Sequence, residues 1–303
     1  MIEPIEASII QAQLQQTIEI LNLVSEGEER MGLRSSTPLP SQVDLKEMMS
    51  LLKGVLFPGF FDKVKVSNRS RQYQIGIDTE RIYLILREQI SRGLLFCKDC
   101  DCMTEADMKE KGKELAVRFI KELPEIKRML MTDVHAVAHN DPAVTSYSEV
   151  VFSYPAIQVM VHYRVAHALL KAGVPVIPRI ITEMAHSVTG IDIHPAAEIG
   201  EYFSIDHGTG IVIGETSVIG RHCMLYQGVT LGARKFKYDE NGKPLNIPRH
   251  PVLEDNVTIY SNTSILGRVT IGHDTIIGGN IWLTDNVPPH SKVIQGKAIA
   301  PNE

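Results

Sequence analysis

Six ionisable residues in four short stretches have the types and spacing for chemistry on a hydroxyl group. IDIHP contributes Asp192, and SIDHGTG contributes Asp206 and His207. A neutral alcohol is a weak nucleophile at pH 7 and needs a base to take its proton during attack. Histidine is the usual base, with a carboxylate to fix its tautomer and support the imidazolium. If the alcohol belongs to an amino acid, its ammonium and carboxylate must also be paired when they leave water. Asp141 in NDPAV and Asp206 suit the ammonium; Arg249 and His250 in RHP suit the carboxylate. Singly, each has an ordinary explanation: an Asp-Pro turn or cap, or a solvated Arg-His loop before Pro251. Their positions relative to a repeat in the chain give them weight.

After Thr189 the apolar residues recur every six positions. Ile193, Ile199 and Ile205 form one run, and Ile213, Ile219, Leu225 and Leu231 a second. Leu253, Ile259, Ile265, Ile271, Ile277 and Leu283 form a third. Glycine follows the aliphatic at Gly200, Gly214, Gly220, Gly232, Gly272 and Gly278. Neither a helix nor a hairpin repeats every six residues. A three-sided coil does, with one aliphatic pointing inward per side and a small residue at the corner. Stacked coils then pair as parallel strands about 4.8 Å apart around a continuous core. The repeat breaks at DHGTGIVIG, where Ile205 to Ile213 spans eight, and at residues 233–250. His207 and His250 sit in those breaks, where a solenoid gathers function. With eighteen residues per coil, Asp192 and His207 would lie on successive turns, three positions from direct stacking.

The preceding residues read as helices, with apolar spacings of three and four in DLKEMMSLLKGVLF, TERIYLILREQI and YPAIQVMVHYRVAHALLKAG. Asp44 and Thr79 fit helix N-caps, and Gly173 with Pro175 fits a stop. Residues 26–42 read as an exposed linker. The expected fold is therefore α+β: an N-terminal all-helical domain (1–188) followed by a parallel β-helix of hexapeptide repeats (189–303). Cys97, Cys100 and Cys102 in CKDCDC offer thiolates to zinc but lack an evident fourth ligand, and no metal site is expected. With Cys223 they form no disulfide framework, which fits a reducing, cytoplasmic setting. A net charge of −5 leaves no basic footprint for nucleic acid or an anionic membrane. No apolar run reaches spanning length, and the acidic start MIEPIEASIIQ is not a secretory signal.

The chain resembles serine O-acetyltransferases of the hexapeptide-repeat class, which implies that the parallel β-helix is left-handed. The resemblance runs from about Met131 to about His290 and rests on NDPAV, HYRVAHAL, DIHPAAEIG, DHGTGIVIGET, QGVTLG, RHP and VPPH. It implies acetyl transfer from acetyl-CoA, as cosubstrate, to L-serine, with no tightly bound cofactor. By that likeness His207 is the base, Asp192 its partner, Asp141 and Asp206 the ammonium site, and Arg249 and His250 the carboxylate pair. Glu215 takes a structural or supporting role. The likeness also implies an acetyl-CoA groove between neighbouring β-helices, hence a homotrimer or a dimer of trimers, and L-cysteine as a feedback inhibitor. Ala233, Lys235, Ser261 and Gly279 are the candidates for that groove, Lys235 or Lys237 reaching a CoA phosphate.

The chain departs from the pattern in its long 233–250 segment. A basic residue expected near the groove is replaced, as at Ile276, by other types. The chain ends at Asn302-Glu303 without an isoleucine-terminated tail, which puts a complex with O-acetylserine sulfhydrylase in doubt. Three other readings stand beside this one. The first is an acetyltransferase for a sugar, an antibiotic or another amino acid. The second is a γ-type carbonic anhydrase using zinc held by three of His194, His207, His222, His250, His273 and His290. The third is a non-catalytic assembly subunit.

Overall fold

The computed structural model describes residues 4–23, 38–61, 68–97, 103–235, 237–240, 242–243 and 245–295. They belong to two compact units, Met1–Pro38 and Leu39–Glu303. The first contains helix α1 (Pro4–Leu21), on which Ile10, Leu14, Ile18 and Leu21 are exposed.

The second unit opens with α2 (Gln42–Leu56), α3 (Asn68–Gly93), α4 (Glu105–Asn140), α5 (Tyr147–Ser153), α6 (Pro155–Lys171) and α7 (Ile177–Thr189). Two expected caps move. Ser41, not Asp44, caps α2, its hydroxyl accepting from the Asp44 N–H at 3.2 Å. Thr79 lies inside α3, where its hydroxyl donates to the Ile75 carbonyl at 2.6 Å. A short polar side chain within a helix reads in sequence like a cap, and only the backbone path separates the two. Helix α6 does end at Lys171, before Gly173 with its φ of +87°. The linker expected at 26–42 falls mostly outside the described residues, as do Cys100 and Cys102. No helix among the described residues is long and apolar enough to cross a membrane.

The solenoid follows two residues after α7. Among the described residues its fourteen short strands form three parallel sheets in the orders β1-β4-β7-β10-β13, β11-β8-β5-β2 and β14-β12-β9-β6-β3. The first turn consists of β1 (Asp192–Ile193), β2 (Glu198–Ile199) and β3 (Ser204–Asp206). The second consists of β4 (Val212–Ile213), β5 (Val218–Ile219) and β6 (Met224–Tyr226), and the third begins at β7 (Thr230–Gly232). After the 233–250 excursion it resumes at β8 (Val252–Leu253) and β9 (Thr258–Ile259). The fourth holds β10 (Ser264–Leu266), β11 (Thr270–Ile271) and β12 (Ile276–Ile277). The fifth holds β13 (Trp282–Leu283), a bridge at Val287 and β14 (Lys292–Val293). The expected inward aliphatics from Ile193 to Ile277 are all buried, and Leu283 is partly so. Each contributes about 1.5–3 kcal/mol through burial.

The helices dock on the first turn through polar bonds. The Tyr163 hydroxyl donates to the Ala197 carbonyl at 2.6 Å, and Asn140 Nδ2 donates to Ser204 Oγ at 2.8 Å. Arg164 binds both oxygens of Asp133 at 3.0 and 3.1 Å and also donates to the carbonyls of Ile199 and Gly200. Both side chains of this pair are buried. Removing one partner strands the other charge without water. Asp133→Ala should therefore cost about 3–5 kcal/mol, read as a lower urea midpoint at unchanged slope. A loss below about 1 kcal/mol would show that the pair does not hold the helices to the coil.

Candidate active site

The sequence candidates separate onto two corners of the prism. One corner leads from the third sheet into the first, and His207 stands there, just after β3. The chain makes this corner with a φ of +56° at His207 and +89° at Gly208. A Cβ on Gly208 would lie 2.5 Å from Ile191 Cδ1 and 2.7 Å from Ile205 Cγ2, so only glycine lets the turn close on the core. The His207 side chain is 73% exposed, and its Nε2 lies 3.7 Å from Asp206 Oδ1. From the end of α4, Asp141 reaches the same place. Its carboxylate accepts from the Tyr154 hydroxyl at 2.7 Å and the Ala143 N–H at 2.8 Å. The Tyr154 bond, the Ala143 bond and the neighbouring His207 hold the Asp141 carboxyl below its usual range. In return Asp141, foremost, pushes the Tyr154 hydroxyl up to about 12. Tyr226, opposite Asp206 in the ladder, completes this corner and stacks on Tyr260 at 4.8 Å. Ser261 and Gly279 share it two and three turns further along: a Cβ on Gly279 would sit 3.1 Å from the Ser261 carbonyl.

The other corner leads from the first sheet into the second. Arg249 there forms an ion pair with Glu215. His250 is buried, and its Nδ1 accepts from the Thr216 N–H at 3.1 Å. A backbone amide only donates, so this bond assigns the ring proton to Nε2. Burial first, then Arg249, lowers the His250 pKa to about 4, leaving the ring neutral at pH 7. Thr216 Oγ1 accepts from the Arg249 and His250 N–H groups at 2.8 and 3.1 Å, fixing the segment that returns from the excursion. Ala233 and exposed Lys235 lie where the chain leaves this corner.

Asp192 falls on the second side of this division. Its carboxylate lies 4.0 Å from Arg179 and is grouped with Glu183 and His186 on α7. It also acts electrostatically on His194, beside Glu215 and Arg249. The expected offset of three positions between Asp192 and His207 is larger in the structure. Asp192 pairs with Val212, so the first turn has twenty residues, not eighteen, and His207 stops five positions short of its partner. Among the described residues no ion pair joins Asp192 to His207 within the chain. Sequence reasoning missed Tyr154, Tyr226 and Thr216, which have no local signal distinguishing them from packing or strand residues. The partnership of Glu215 with Arg249, 34 positions apart, required the fold.

A scan against models of known protein families finds no match. Individual relatives are clear. The chain is 44% identical over 269 residues to a plasmid-encoded serine acetyltransferase of Synechococcus elongatus, covering 88% of this chain and 84% of that one. The chain belongs to the serine acetyltransferase family. It is 40% identical over 170 residues to the serine acetyltransferase of Helicobacter pylori, covering 56% of this chain and 94% of that one. Crystal structures of Entamoeba histolytica serine acetyltransferase 1 have the same fold. The native form matches with a TM-score of 0.71 at 30% identity, covering 88% of this chain and 95% of that one. The form in complex with L-cysteine matches with a TM-score of 0.70 at 32% identity, covering 82% and 86%. The helical region followed by a parallel β-helix is the architecture of the serine acetyltransferase family, and the chain is an acyltransferase.

Proposed function

We propose that the chain transfers acetyl from acetyl-CoA to L-serine, giving O-acetyl-L-serine and CoA, at a site assembled from two copies. The observation that carries this reading is the split between corners. A base with two carboxylates lies at one end of the first sheet's strands, and a guanidinium with a neutral imidazole lies at the other. In a cyclic assembly one copy's His207 corner faces the next copy's Arg249 corner across that sheet. Such packing covers the exposed His207 ring and brings it a neighbour's Asp192. The dyad is then formed between chains, in a homotrimer or a pair of trimers. The helical residues 1–188 supply Asp141, and residues 189–303 supply the remaining groups.

In this arrangement Asp141 and Asp206 hold the serine ammonium, while Arg249 and the Nε2–H of His250 hold its carboxylate. His207 takes the hydroxyl proton as oxygen attacks the thioester carbonyl. The tetrahedral intermediate collapses to expel the CoA thiolate, which takes the proton back from the imidazolium. Ser261 and Gly279 from one copy, with Ala233 and Lys235 from the next, line the path of CoA. The L-cysteine bound to the Entamoeba relative supports cysteine as an inhibitor competing for the same ammonium and carboxylate contacts. A reducing cytoplasm fits the unpaired thiols of Cys97 and Cys223.

Thiol detection of released CoA with L-serine, repeated with other hydroxyl acceptors and with added L-cysteine, tests the reading. Serine-dependent release that cysteine suppresses is expected; preference for a sugar or an antibiotic would overturn it. Gly214 offers a narrower test. A Cβ there would fall 2.0 Å from Cδ2 and 2.2 Å from Nε2 of His250. Gly214→Ala should displace the imidazole and raise the KM for serine about ten-fold or more, with less change for acetyl-CoA. An unchanged serine KM would remove His250 from the carboxylate site.

A further inference from the structure

The third corner of the prism, from the second sheet into the third, has no part in the proposed transfer. On its last two turns it gathers His273, Asp274 and His290, whose candidate ligand atoms all lie within 4.8 Å of one another. His273 Nδ1 is 2.7 Å from Asp274 Oδ2, and His290 Nδ1 is 3.6 Å from the same oxygen. The backbone path sets this convergence: the His290 N–H donates to the His273 carbonyl at 2.9 Å, stacking the fifth turn on the fourth. Asp274 and His290 both take the left-handed corner conformation, with φ of 56° and 59°. The cluster is also braced from behind. Asn256 Nδ2 donates to Asp274 Oδ1 at 3.0 Å, and Glu254 accepts from the His273 N–H at 2.8 Å.

We propose that His273, Asp274 and His290 form a binding site for a borderline divalent transition-metal ion such as zinc. Two imidazoles and a carboxylate suit that ion class, with a water completing the tetrahedron. Ligand bonds of about 2.0 Å place tetrahedral ligands about 3.3 Å apart. The 2.7 and 3.6 Å separations of the two imidazoles from Asp274 Oδ2 bracket that spacing. The ion takes the place of the hydrogen bond between His273 Nδ1 and Asp274, and the ring carries its proton on Nε2 instead. Asn256 orients the carboxylate as an outer partner of the ligand. The other cluster of this kind, Glu183, His186 and Asp192, already has Arg179 at its oxygens, and a guanidinium there competes with a cation. The site ties the fourth turn to the fifth, where the solenoid has no further turn among the described residues to close its end.

Purified full-length protein, stripped with chelator, is titrated with zinc chloride by calorimetry and separately with cobalt chloride by visible absorption. One equivalent per chain is expected, with tetrahedral cobalt d–d bands and no thiolate-to-cobalt charge-transfer band. The melting temperature should rise with zinc. His273→Ala/His290→Ala should abolish uptake and the thermal shift, and Asn256→Ala should weaken binding about ten-fold. Turnover without metal should be unchanged in these variants. Absence of uptake, uptake unchanged in the double variant, or a thiolate band would each overturn the site.

Discussion

His207→Asn should lower kcat by about 10²–10⁴-fold while leaving the KM for acetyl-CoA nearly unchanged. Asparagine is chosen because His207 stands at φ +56°, a conformation that asparagine tolerates far better than alanine. The variant keeps the corner and deletes the base. Its melting temperature should stay within about a degree or two of wild type, separating lost chemistry from lost fold. The ring is the natural base because of its surroundings: Asp206 lies 3.7 Å away, Asp141 acts on it electrostatically, and its side chain is open to a reactant. His250, with its pKa lowered to about 4 and Nδ1 engaged, is suited to donate a hydrogen bond rather than to take a proton. Turnover of His207→Asn within ten-fold of wild type would remove the base from the mechanism.

The second large effect is a rescue. His207→Asn loses the base and Arg249→Ala loses a carboxylate contact, so each homo-oligomer should be nearly silent at low serine. Co-expressed in equal amounts with separate tags and purified through both, the two chains should recover about a third of wild-type activity as trimers and about a quarter as pairs of trimers. An interface is intact when its His207 side comes from the Arg249 variant and its Arg249 side from the His207 variant. Every mixed trimer has one such interface out of three, and in pairs of trimers each condition holds about half the time. Asp192→Asn should complement His207→Asn in the same way, because Asp192 lies on the Arg249 side of the division. Mixed oligomers as inactive as their parents would mean that each chain carries a whole site.

Much of this arrangement is legible in the sequence. The six-residue spacing fixed which aliphatics face inward because each side of a coil admits one such residue. The breaks in that spacing marked the corners where His207 and His250 stand. The relation between Asp192 and His207 is not legible there, because an eighteen-residue coil does not describe the first turn. Turns two and four do have eighteen, Val212 pairing with Thr230 and Ser264 with Trp282. The first has twenty because the two extra residues between Ile205 and Ile213 belong to it. Tyr154 and Tyr226 were invisible for a different reason. An aromatic on a helix start or a strand is ordinary packing until a carboxylate from elsewhere in the chain reaches it. The Asp44 and Thr79 caps failed because hydroxyl and carboxylate side chains bond equally well to backbone at a helix start and within its turns.

The two surplus residues in the first turn have a consequence for how such a rod can evolve. Duplicating an ordinary turn copies inward aliphatics and corner residues but not the loop that bears the imidazole. The prism would grow longer and the number of bases would stay at one per polypeptide. Length is therefore free to drift in this architecture, while catalytic capacity can rise only through more chains or faster ones.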